Sequence, residues 1–595
     1  MILLIPFSSN SQEIFQREKR DNIWLFGSFS LSNPIAANIV FDYNEKPVDI
    51  HYEFMGAALD AANASICDTS GNLLLYTNGI QIANFTHDTI ENGGRINPGE
   101  YLDDWVTIGV AMVQGALLLA VPEHDNLFYL FYEGYTRAPE INAYAVRVYE
   151  LYYALIDMNA NNGFGKVIEK DVPIIQDTLE IGKIISTRHA NGRDWWIMIP
   201  KYYDNNYYRL RLTPNGVTNE GEILAGGSIP GGLGQSRFTP TGNKYVRFTS
   251  KSTQDGSFIS IFDFDRNNGQ LTNQKLITYN DTSFAGGVAI SENSRFLYVP
   301  SYQYMYQYDL EADDIEASKV VIAEYDGYYD ENPLLKQRFF MGALAPDGTI
   351  LVNSPNSAQH LHIIHHPNRK GLACEVEQHG VELPAWNQLT MPNFPYYGLG
   401  PLDGSPADTL GIDNPPPTAR FEYVQDSSDV HDIAFYNATL FSPEATMYIV
   451  PDDAYYWIFG DGEESNEKHP THTYFEDGAY EVCLTATNYS GSDTWCDTVY
   501  INVVGTEEPV SPLQQAKLFP NPVSDYFFFD YILPVGIHAT ARLYDVRGRL
   551  VKERSLKTGN VSQGWDVRDL VSGVYFFVVE SERGVLFRKK VIRNP

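Results

Sequence analysis

Four short polar turns, each followed by an apolar run, constrain the fold of this chain more than any other feature. They end at Gly192, Gly242, Ser294 and Gly348, which lie 50, 52 and 54 residues apart. The runs that follow them read RDWWIMI, NKYVRF, RFLYV and TILV. A period of this length, with several short strands in each repeat, is typical of a blade array such as a β-propeller. The sequence therefore predicts an all-β propeller.

Further repeats suggest how many blades there are. Similar turns end at Gly71 and Asn126, and the pattern D-x-x-x-N-N-G occurs at 157–163 and again 106 residues later, a distance of two periods. The first strands, NIWLFG and IVFDY, are expected to pair with strands between residues 382 and 397 and so close a seventh blade, since closure removes exposed sheet edges. Six or eight blades remain alternatives.

Composition and charge exclude some classes of function. The chain of 595 residues is 44% hydrophobic and 13% aromatic, which suits strand surfaces and packed cores. Its net charge of −33 disfavours a general role on nucleic acid or anionic lipid, which would require basic patches. The apolar run Ile2–Phe7 is shorter than the core of a signal peptide, so residues 1–21 are interpreted as a signal-peptide remnant and lead-in, or alternatively as a disordered tail.

Motifs that carry catalysis are absent, so no catalytic residue and no cofactor is predicted. The sequence contains no P-loop, dinucleotide fingerprint, zinc-protease or hydrolase motif. The two D-x-x-x-N-N-G segments, 157–163 and 263–269, alternate oxygen-bearing side chains like a calcium loop. However, position twelve is Ile168 in one and Gln274 in the other, where a calcium loop needs a glutamate. Both segments are therefore interpreted as turns.

Histidines and aromatic residues are the remaining candidates for binding. His360 and His362 alternate on one predicted strand and could share a metal, with His365 and His366 next to a turn, but no nearby ligand set completes the site. The aromatic candidates for stacking on sugars are Trp105, Trp195, Trp196, Tyr302, Tyr304, Tyr306 and Tyr308. The four tyrosines have i, i+2 spacing, which predicts one face of one strand and favours packing between blades. No metal site is predicted.

Residues 22–400 resemble the propeller-like region of many secreted bacterial proteins that use type IX secretion. The resemblance rests on ASICDTSGNLLLYTNG, LYYALIDMNANNGFGKV, HANGRDWWIM, FDFDRNNGQL, MYQYDLEADDIEAS and HHPNRKGLACE. It implies a fold and a location but no substrate. The next segment, 401–418, is rich in Pro, Gly and Asp and is expected to be an extended, solvated linker.

Residues 419–505 resemble a PKD domain, an immunoglobulin-like β-sandwich of seven strands. The resemblance rests on YYWIFGDGEES and HPTHTYFEDGAYEVCLTATN, and its motif residues are Trp457, Phe459, Gly460, Asp461, Gly462, Tyr474, Gly478 and Tyr480. PKD domains generally serve as spacers or partner-binding modules, so this resemblance implies no catalysis.

Cysteine positions within this region predict a disulfide. Cys483 and Cys496 lie symmetrically about the turn 488–491, so simple antiparallel register places them opposite each other, with Cα atoms about 4.4–6.8 Å apart. The same register puts Leu484 opposite Trp495, and Tyr480 opposite Val499, on the buried side. Cys67 and Cys374 fall in the first and last portions of the propeller, where they form either a second bridge or two buried free thiols.

After a short linker at 506–512, residues 513–595 resemble the type A C-terminal sorting domain of the type IX secretion system. The motif residues are Pro520, Asn521, Pro522, Tyr544, Asp545, Gly548, Arg549, Leu570, Gly573 and Tyr575. This segment has 13 basic and 8 acidic residues, opposite in sign to the rest of the chain. The resemblance implies a small β-sandwich that engages the secretion machinery and is usually removed, leaving the protein on the cell surface or released.

These features predict a secreted or surface-exposed protein without a transmembrane span. The favoured interpretation is a non-catalytic binding or adhesion module that displays a propeller on a PKD spacer, with an extracellular glycan or protein as ligand. The alternative is an extracellular propeller hydrolase or lyase acting on polysaccharide or protein, whose catalytic residues would come from loops far apart in sequence.

Overall fold

The structure is a computed structural model that describes most of the chain. The described residues are 13–28, 37–55, 58–59, 61–99, 103, 109–110, 112–139, 145–252, 256–281, 283, 285–330, 334–425, 429–501, 514–519, 523–533, 538–545, 549–581 and 584–593.

Within these residues, seven antiparallel sheets follow one another along the chain and form the seven blades of a β-propeller. Blades 1 and 2 have three strands each, and blades 3 to 7 have four. Strand β1 (Glu13–Ile14) precedes them. The strands of blades 1 to 3 are β2 (Ile23–Ser28), β3 (Ala37–Asp42), β4 (Asp49–Glu53), β5 (Ala64–Cys67), β6 (Leu73–Thr77), β7 (Ile82–Asn84), β8 (Ala116–Ala120), β9 (Leu127–Arg137), β10 (Val146–Asp157) and β11 (Lys166–Leu179).

Blades 4 to 7 repeat one four-stranded meander, as the sequence period predicts. Their strands are β12 (Ile185–Arg188), β13 (Trp195–Pro200), β14 (Asn206–Thr213), β15 (Gly216–Leu224), β16 (Ser236–Phe238), β17 (Lys244–Ser252), β18 (Gly256–Asp265), β19 (Gln270–Tyr279), β20 (Ala289–Ile290), β21 (Phe296–Ser301), β22 (Tyr304–Asp309), β23 (Val320–Glu324), β24 (Gly342–Leu344), β25 (Ile350–Val352), β26 (Ala358–Ile364) and β27 (Val376–Asn387). Inner strands such as β13 are buried along their whole length, because blades pack on both of their faces.

The turns that define the repeat follow the innermost strands of blades 2 to 7, and we call the side on which they lie the lower face. Five of the six predicted turn ends have a left-handed backbone, with φ between 63° and 99°; these are Gly71, Gly192, Gly242, Ser294 and Gly348. The opposite, upper, face carries the segments that lead into the innermost strands. The segments 157–163 and 263–269 also form turns, and Asn162, Gly163 and Gly269 have positive φ.

The ring closes where expected, but without the predicted ladder between the first and last strands. Strand β27 belongs to blade 7, and its Leu383 and Ala385 pack against Trp24 and Phe26 of blade 1 in one apolar cluster. The chain then enters the propeller axis as what we call the axial segment, residues 388–397. Its first residue donates one backbone hydrogen bond of 3.0 Å to Gly27 of β2. Packing, rather than a shared sheet, therefore closes the ring.

Residues 401–418 do not form the extended, solvated linker that their composition predicts. Asp403 and Asn414 are 2% and 0% exposed, and Asn414 donates to the carbonyl of Pro401 at 2.9 Å and to Asp403 at 2.8 Å. Strand β28 (Ile412–Asp413) pairs in parallel with β1. The segment lies against the lower face because the missing Cβ of Gly192 leaves room for Pro401, 2.8 Å from the position that this Cβ would take.

The middle domain, residues 419–501, is a sandwich of one three-stranded and one four-stranded sheet, in the orders β29-β30-β33 and β32-β31-β34-β35. Its strands are β29 (Phe421–Gln425), β30 (Asp432–Asn437), β31 (Tyr455–Ile458), β32 (Glu464–Ser465), β33 (Thr471–Thr473), β34 (Gly478–Asn488) and β35 (Gly491–Ile501), and the short helix α1 (Pro443–Thr446) lies between β30 and β31. The predicted seven-stranded sandwich is thus confirmed.

The middle domain packs on the lower face of the propeller instead of standing clear of it. Tyr436 contacts Phe296 edge-on, with ring centroids 5.8 Å apart. Lys468 forms an ion pair of 2.6 Å with Glu311 of the propeller. Apolar and ionic contacts therefore join the two domains. The PKD-like domain, predicted from the sequence to be a spacer, is packed directly against the propeller.

The C-terminal domain, residues 514–593, is a second sandwich and is described by itself. Its sheets have the orders β36-β37-β40 and β39-β38-β41-β42. The strands are β36 (Gln514–Phe519), β37 (Tyr526–Leu533), β38 (Ala539–Asp545), β39 (Leu550–Ser555), β40 (Gly559–Asp566), β41 (Gly573–Ser581) and β42 (Gly584–Arg593). Alternation along β37 sends Phe527 and Phe529 into a core that they share with Trp565 and Phe577.

Candidate functional site

The propeller axis, where the blades converge, is filled by the axial segment of the chain itself. Asn393 lies there, with 1% of its surface exposed. Its Nδ2 donates to the carbonyls of Ala116 (3.0 Å) and Ile184 (2.9 Å). Its Oδ1 accepts hydrogen bonds from Gln114 (3.0 Å) and Arg237 (3.1 Å). One amide side chain therefore ties together blades 3, 4 and 5.

Two buried glutamines link different blades around the same axis. Gln114 accepts from the backbone N–H of Ser236 at 2.8 Å and donates to the carbonyl of the same residue at 3.0 Å. Gln235 accepts from the N–H of Val288 at 3.0 Å and donates to the carbonyl of Gly342 at 2.9 Å. These side chains satisfy backbone groups that no sheet ladder reaches.

Little space is left along the axis. A cavity of about 60 Å³ remains beside Arg237, Phe394 and Trp24. Ligand sites for small molecules usually measure roughly 300–1,000 Å³, so this cavity is too small to hold a substrate. The axis is consequently a packed polar core.

A buried ionic cluster lies between blades 3, 4 and 5, near the upper face. Lys183 and Arg247 contact Glu180 at 3.1 Å and 3.3 Å, and all three residues are at most 1% exposed. Burial lowers the pKa of Lys183, although Glu180 opposes this shift. Because water does not reach these groups, their charges must be balanced within the protein.

Glu133 adds a second carboxyl group to this region, and its pKa is strongly raised. It is 0% exposed, and burial raises its pKa to about 8. Its Oε2 accepts hydrogen bonds from the N–H of Gly182 (2.9 Å) and the hydroxyl of Tyr135 (2.8 Å). A buried acid with such a pKa could serve as a proton donor or acceptor. Its burial separates it from solvent.

The upper face carries exposed aromatic and arginine side chains. Tyr203 is 46% exposed and contacts Tyr202 edge-on, with ring centroids 4.6 Å apart. The guanidinium of Arg147 lies 4.3 Å from the ring centroid of Tyr202. Aromatic residues and arginine are enriched at binding interfaces, so this group is a candidate recognition surface.

A second aromatic group lies on the upper face at blades 6 and 7. The guanidinium of Arg338 lies between the rings of Tyr302 and Tyr325, at 4.5 Å and 4.8 Å from their centroids. Tyr328 and Tyr329 beside it are 39% and 45% exposed. We call the two groups together the upper aromatic surface; it comprises Arg147, Tyr202, Tyr203, Tyr302, Tyr325, Tyr328, Tyr329 and Arg338.

The two histidines of the predicted pair have different environments. His362 is 0% exposed and packs edge-on against Phe339 at 4.8 Å, and burial lowers its pKa to about 3. His360 instead contacts Asp330 at 3.1 Å, and His365 contacts Glu377 at 2.8 Å. His366 lies 3.7 Å from Glu375. In the described part of the chain, no group of three or more His, Cys, Asp or Glu side chains is arranged to hold a metal ion.

His379, which no sequence motif predicts, contacts both histidines of this pair: its ring centroid lies 6.3 Å from that of His360 and 4.9 Å from that of His362. Its ring stacks on Tyr328 with centroids 4.2 Å apart, and its Nε2 lies 3.2 Å from Asp326. His379 has a left-handed φ of 60° within β27. The only signal in the sequence is the neighbouring Gly380 inside a strand pattern, which suggests a bulge.

The aromatic residues proposed for stacking on sugars lie mostly in cores. Trp195 and Trp196 are each 3% exposed, and Trp196 donates from its indole to the carbonyl of Arg266 at 2.8 Å. Tyr304, Tyr306 and Tyr308 pack between blades 5 and 6, as expected. Tyr302 does not share their face, because it precedes β22 and has a φ of 54°. Trp105 lies outside the described residues.

The PKD-type motif residues surround one core of the middle domain. Trp457 is fully buried and donates to the carbonyl of Glu467 at 2.9 Å. Tyr474 donates to the carbonyl of Phe459 at 3.0 Å and stacks on Tyr480. The remaining motif residues form the adjacent turns: Gly460 and Gly462 have positive φ, Asp461 contacts His472 at 2.7 Å, and Gly478 begins β34.

The predicted disulfide between Cys483 and Cys496 is confirmed, with Cα atoms 4.1 Å apart, slightly below the expected range. On the same face of the hairpin, Thr485 and Thr494 share a hydrogen bond of 2.8 Å, which agrees with the predicted register. Trp495, expected on the buried side, is instead 48% exposed, because β35 is the edge strand of its sheet.

The alternative of a second bridge is wrong. Cys67 and Cys374 are buried free thiols, and burial raises the pKa of each to about 12. They lie in blade 2 and in the turn before β27, and closure of the ring through blade 1 keeps these elements apart.

The sorting-type motif is only partly described, since Pro520, Asn521, Pro522 and Gly548 lie outside the described residues. Tyr544 and Asp545 end β38, and Arg549 donates to Asp545 at 3.0 Å. Tyr575 of β41 donates to the carbonyl of Val571 at 2.7 Å. Leu570 packs against the core, and Gly573 begins β41.

Comparison with known proteins identifies the two C-terminal regions. Residues 437–503 match the PKD domain, and residues 517–593 match the secretion system C-terminal sorting domain. Collagenase ColA of Clostridium perfringens is 34% identical over 96 residues, which are 13% of this chain and 9% of the collagenase. This chain thus spans only a small part of that enzyme.

Solved structures also resemble the chain. A putative 6-phosphogluconolactonase from Bacteroides uniformis is 12% identical, with a TM-score of 0.37 over 62% of this chain and 97% of its own. The periplasmic gluconolactonase of Pseudomonas aeruginosa is 11% identical, with a TM-score of 0.28 over 74% and 99%. A protein from Desulfotomaculum acetoxidans is 14% identical, with a TM-score of 0.35 over 63% and 99%. The propeller assignment rests on the seven sheets.

Among the described residues, no helix combines the length and the apolar character that crossing a bilayer requires.

Proposed function

We propose that this exported protein, a β-propeller joined to a PKD domain and a type IX C-terminal sorting domain, is a non-catalytic binding module whose upper aromatic surface recognises an extracellular ligand. The sorting domain directs the chain to the cell surface or the extracellular space and engages the secretion machinery. The ligand class we propose is a glycan or a surface protein.

The observation that carries this proposal is the filled axis. Asn393 and its partners fill the axis, so a substrate cannot enter between the blades there. At the same time residues 401–418 and the PKD domain cover part of the lower face, whereas Tyr203 and Tyr329 remain about half exposed on the upper face. A ligand can therefore reach the upper aromatic surface without any rearrangement of the propeller.

The alternative is an extracellular hydrolase or lyase, and Glu133 is the observation that favours it. An acid with a pKa of about 8 is suited to proton transfer near neutral pH. Against this alternative, Glu133 is fully buried and its Oε2 already accepts two hydrogen bonds. Catalysis by Glu133 would require an opening at the upper face that exposes this carboxyl group.

One pair of measurements separates the two functions. The purified full chain is applied to a glycan array and to a panel of extracellular proteins, and the same preparation is screened for degradation of polysaccharides and proteins. We expect binding without turnover, and Tyr203→Ala combined with Tyr329→Ala should weaken binding at least tenfold, as loss of exposed aromatic anchors does at other interfaces. Tyr489→Ala, at a 68% exposed site on the PKD domain, is the matched control. Turnover that Glu133→Gln abolishes would establish the enzyme instead.

Export is tested separately. Deletion of residues 513–595 should retain the protein inside the cell, and mass spectrometry of the secreted fraction should find a mature form that lacks roughly its last 80 residues, as the sorting-domain resemblance implies. Intact protein with reduced Cys483 and Cys496 in the cytoplasm would contradict export.

A further inference from the structure

A polar cavity of about 530 Å³ lies at the lower face, beside the turns of blades 3 and 4. Its volume falls within the range of small-molecule sites. Its lining includes Glu18, Arg20, His124, Arg188, Trp195 and Tyr397. The upper aromatic surface lies on the opposite face, so this cavity is independent of the function proposed above.

Two buried guanidinium groups face this cavity. Arg20 and Arg188 are 6% and 4% exposed. Arg188 is held in place by aromatic rings, since its guanidinium lies 4.2 Å from the centroid of Trp195 and 5.5 Å from that of Phe15. Burying a cation is costly unless an anion or hydrogen bonds compensate it. The cavity is therefore built to hold an anionic group.

Glu18 supplies that anionic group in this structure. It forms ion pairs with both arginines, at 3.4 Å to Arg188 and at shorter range to Arg20. Although burial opposes the shift, Arg188 and Arg20 lower the pKa of Glu18. The Glu18 side chain is 30% exposed and belongs to the segment before the first blade, so solvent reaches the carboxylate that pairs with the two arginines.

Two of the residues that line the cavity carry a buried donor that the protein does not use. Arg188 Nε and the hydroxyl of Tyr397 have no hydrogen-bond partner among the described residues. Tyr397 is 1% exposed, and burial raises the pKa of its hydroxyl, which therefore stays protonated and can donate. Buried donors are rarely left unpaired, so a missing ligand is a physical explanation for both.

We propose that this cavity binds a sugar acid of the hexuronate class, whose carboxylate replaces that of Glu18 between Arg20 and Arg188 and accepts a hydrogen bond from Tyr397. The volume exceeds what a small inorganic anion needs, and Gln16, Thr69 and His124 offer partners for hydroxyl groups. The lining carries three carboxylates, those of Glu18, Glu123 and Asp125, and three guanidinium groups, those of Arg20, Arg188 and Arg193. This balance of charge disfavours ligands of high negative charge, such as polyphosphates.

Calorimetric titration of the full chain tests the site, with glucuronate as the probe and glucose and inorganic sulfate as comparisons. We expect glucuronate to bind, and glucose and sulfate to bind at least tenfold more weakly. Tyr397→Phe should weaken glucuronate about tenfold, because it removes one hydrogen bond to a charged group. Tyr149→Phe, at a 38% exposed site on β10 that belongs to neither proposed binding site, should leave the affinity unchanged. Glu18→Gln should tighten binding, because it removes the competing carboxylate.

Three outcomes would overturn the proposal. They are equal binding of glucose, equal binding of sulfate, and absence of glucuronate binding to the full chain and to the Glu18→Gln variant at millimolar ligand. If Glu18→Gln fails to fold, as circular dichroism would show, the Tyr397→Phe comparison decides alone. A negative titration leaves the upper aromatic surface untouched, since the glycan array reads that surface through Tyr203 and Tyr329.

Discussion

Arg266 of the propeller donates a hydrogen bond of 2.9 Å to the carbonyl of Ala445 in the PKD domain. The same guanidinium also donates to the carbonyls of Arg188 (3.0 Å), His189 (3.3 Å) and Gly400. Arg266 is 3% exposed. One side chain thus satisfies backbone groups of the propeller, of the segment that leaves it and of the PKD domain. These hydrogen bonds explain why the PKD domain is fixed against the propeller.

Replacement of Arg266 by alanine should weaken the packing of the PKD domain against the propeller. Four buried carbonyls lose their donor, so we expect the free energy of unfolding to fall by about 2–4 kcal/mol. In differential scanning calorimetry the PKD domain and the propeller should then unfold in separate transitions. Arg95→Ala is the control, because Arg95 forms an ion pair with Asp103 at a site 71% exposed, where the effect should stay below about 1 kcal/mol. A single unshifted transition for Arg266→Ala would refute the role of this residue.

Removal of the disulfide should lower the stability of the PKD domain modestly. Cys483 and Cys496 are 13 residues apart, and the loop-entropy model gives at most about 3 kcal/mol for a ring of this size. Cys483→Ser with Cys496→Ser should lower the melting temperature of the PKD transition and leave the domain folded. Mild reduction of the unmodified chain should reproduce the shift, whereas Cys67→Ser with Cys374→Ser should not make the protein insensitive to reduction.

The parts of the fold that the sequence predicts are those with local signals. The blade turns can be predicted because Gly192 and Gly242 need a left-handed backbone. The hairpin of the PKD domain can be predicted because Cys483 and Cys496 are symmetric about its turn. Such features depend on neighbours within a few residues. They do not depend on how distant segments pack.

The axial segment and the lower-face cavity could not be predicted in this way. Asn393 lies 279 residues from Gln114, and Glu18 lies 170 residues from Arg188, so no periodicity links them. Composition was even misleading for residues 401–418, where prolines suggested a solvated linker and hydrogen bonds of Asn414 instead hold the segment against the propeller. Long-range polar contacts are set by the closed ring and become visible only in three dimensions.

Asn393 should be among the least replaceable residues of the propeller. Asn393→Ala removes one hydrogen bond from each of Gln114 and Arg237 and the side-chain donor of two buried carbonyls, and we expect a loss of about 3–5 kcal/mol in the free energy of unfolding. Urea unfolding of the full chain measures it. Asn219→Ala, which removes an exposed amide that donates to the carbonyl of Ile174, should cost less than about 1 kcal/mol. Equal losses of unfolding free energy at the two positions would show that the hydrogen bonds of Asn393 do not hold the blades together.

Glu133 should make the propeller less stable as the pH rises. Burial raises its pKa from 4.5 to about 8, so between these values the unfolded chain has released a proton that the folded chain still holds. The folded state therefore loses stability on going from pH 5 to pH 8, by up to about 1.4 kcal/mol per pH unit for one proton. Glu133→Gln keeps the shape and removes the proton, so its stability relative to the unmodified protein should increase steadily over this range. Unfolding free energies from urea titrations at four pH values test this, with Glu123→Gln, whose side chain is 60% exposed, as the control. If Glu133→Gln and the unmodified chain show parallel pH profiles, Glu133 does not hold a proton in the folded state.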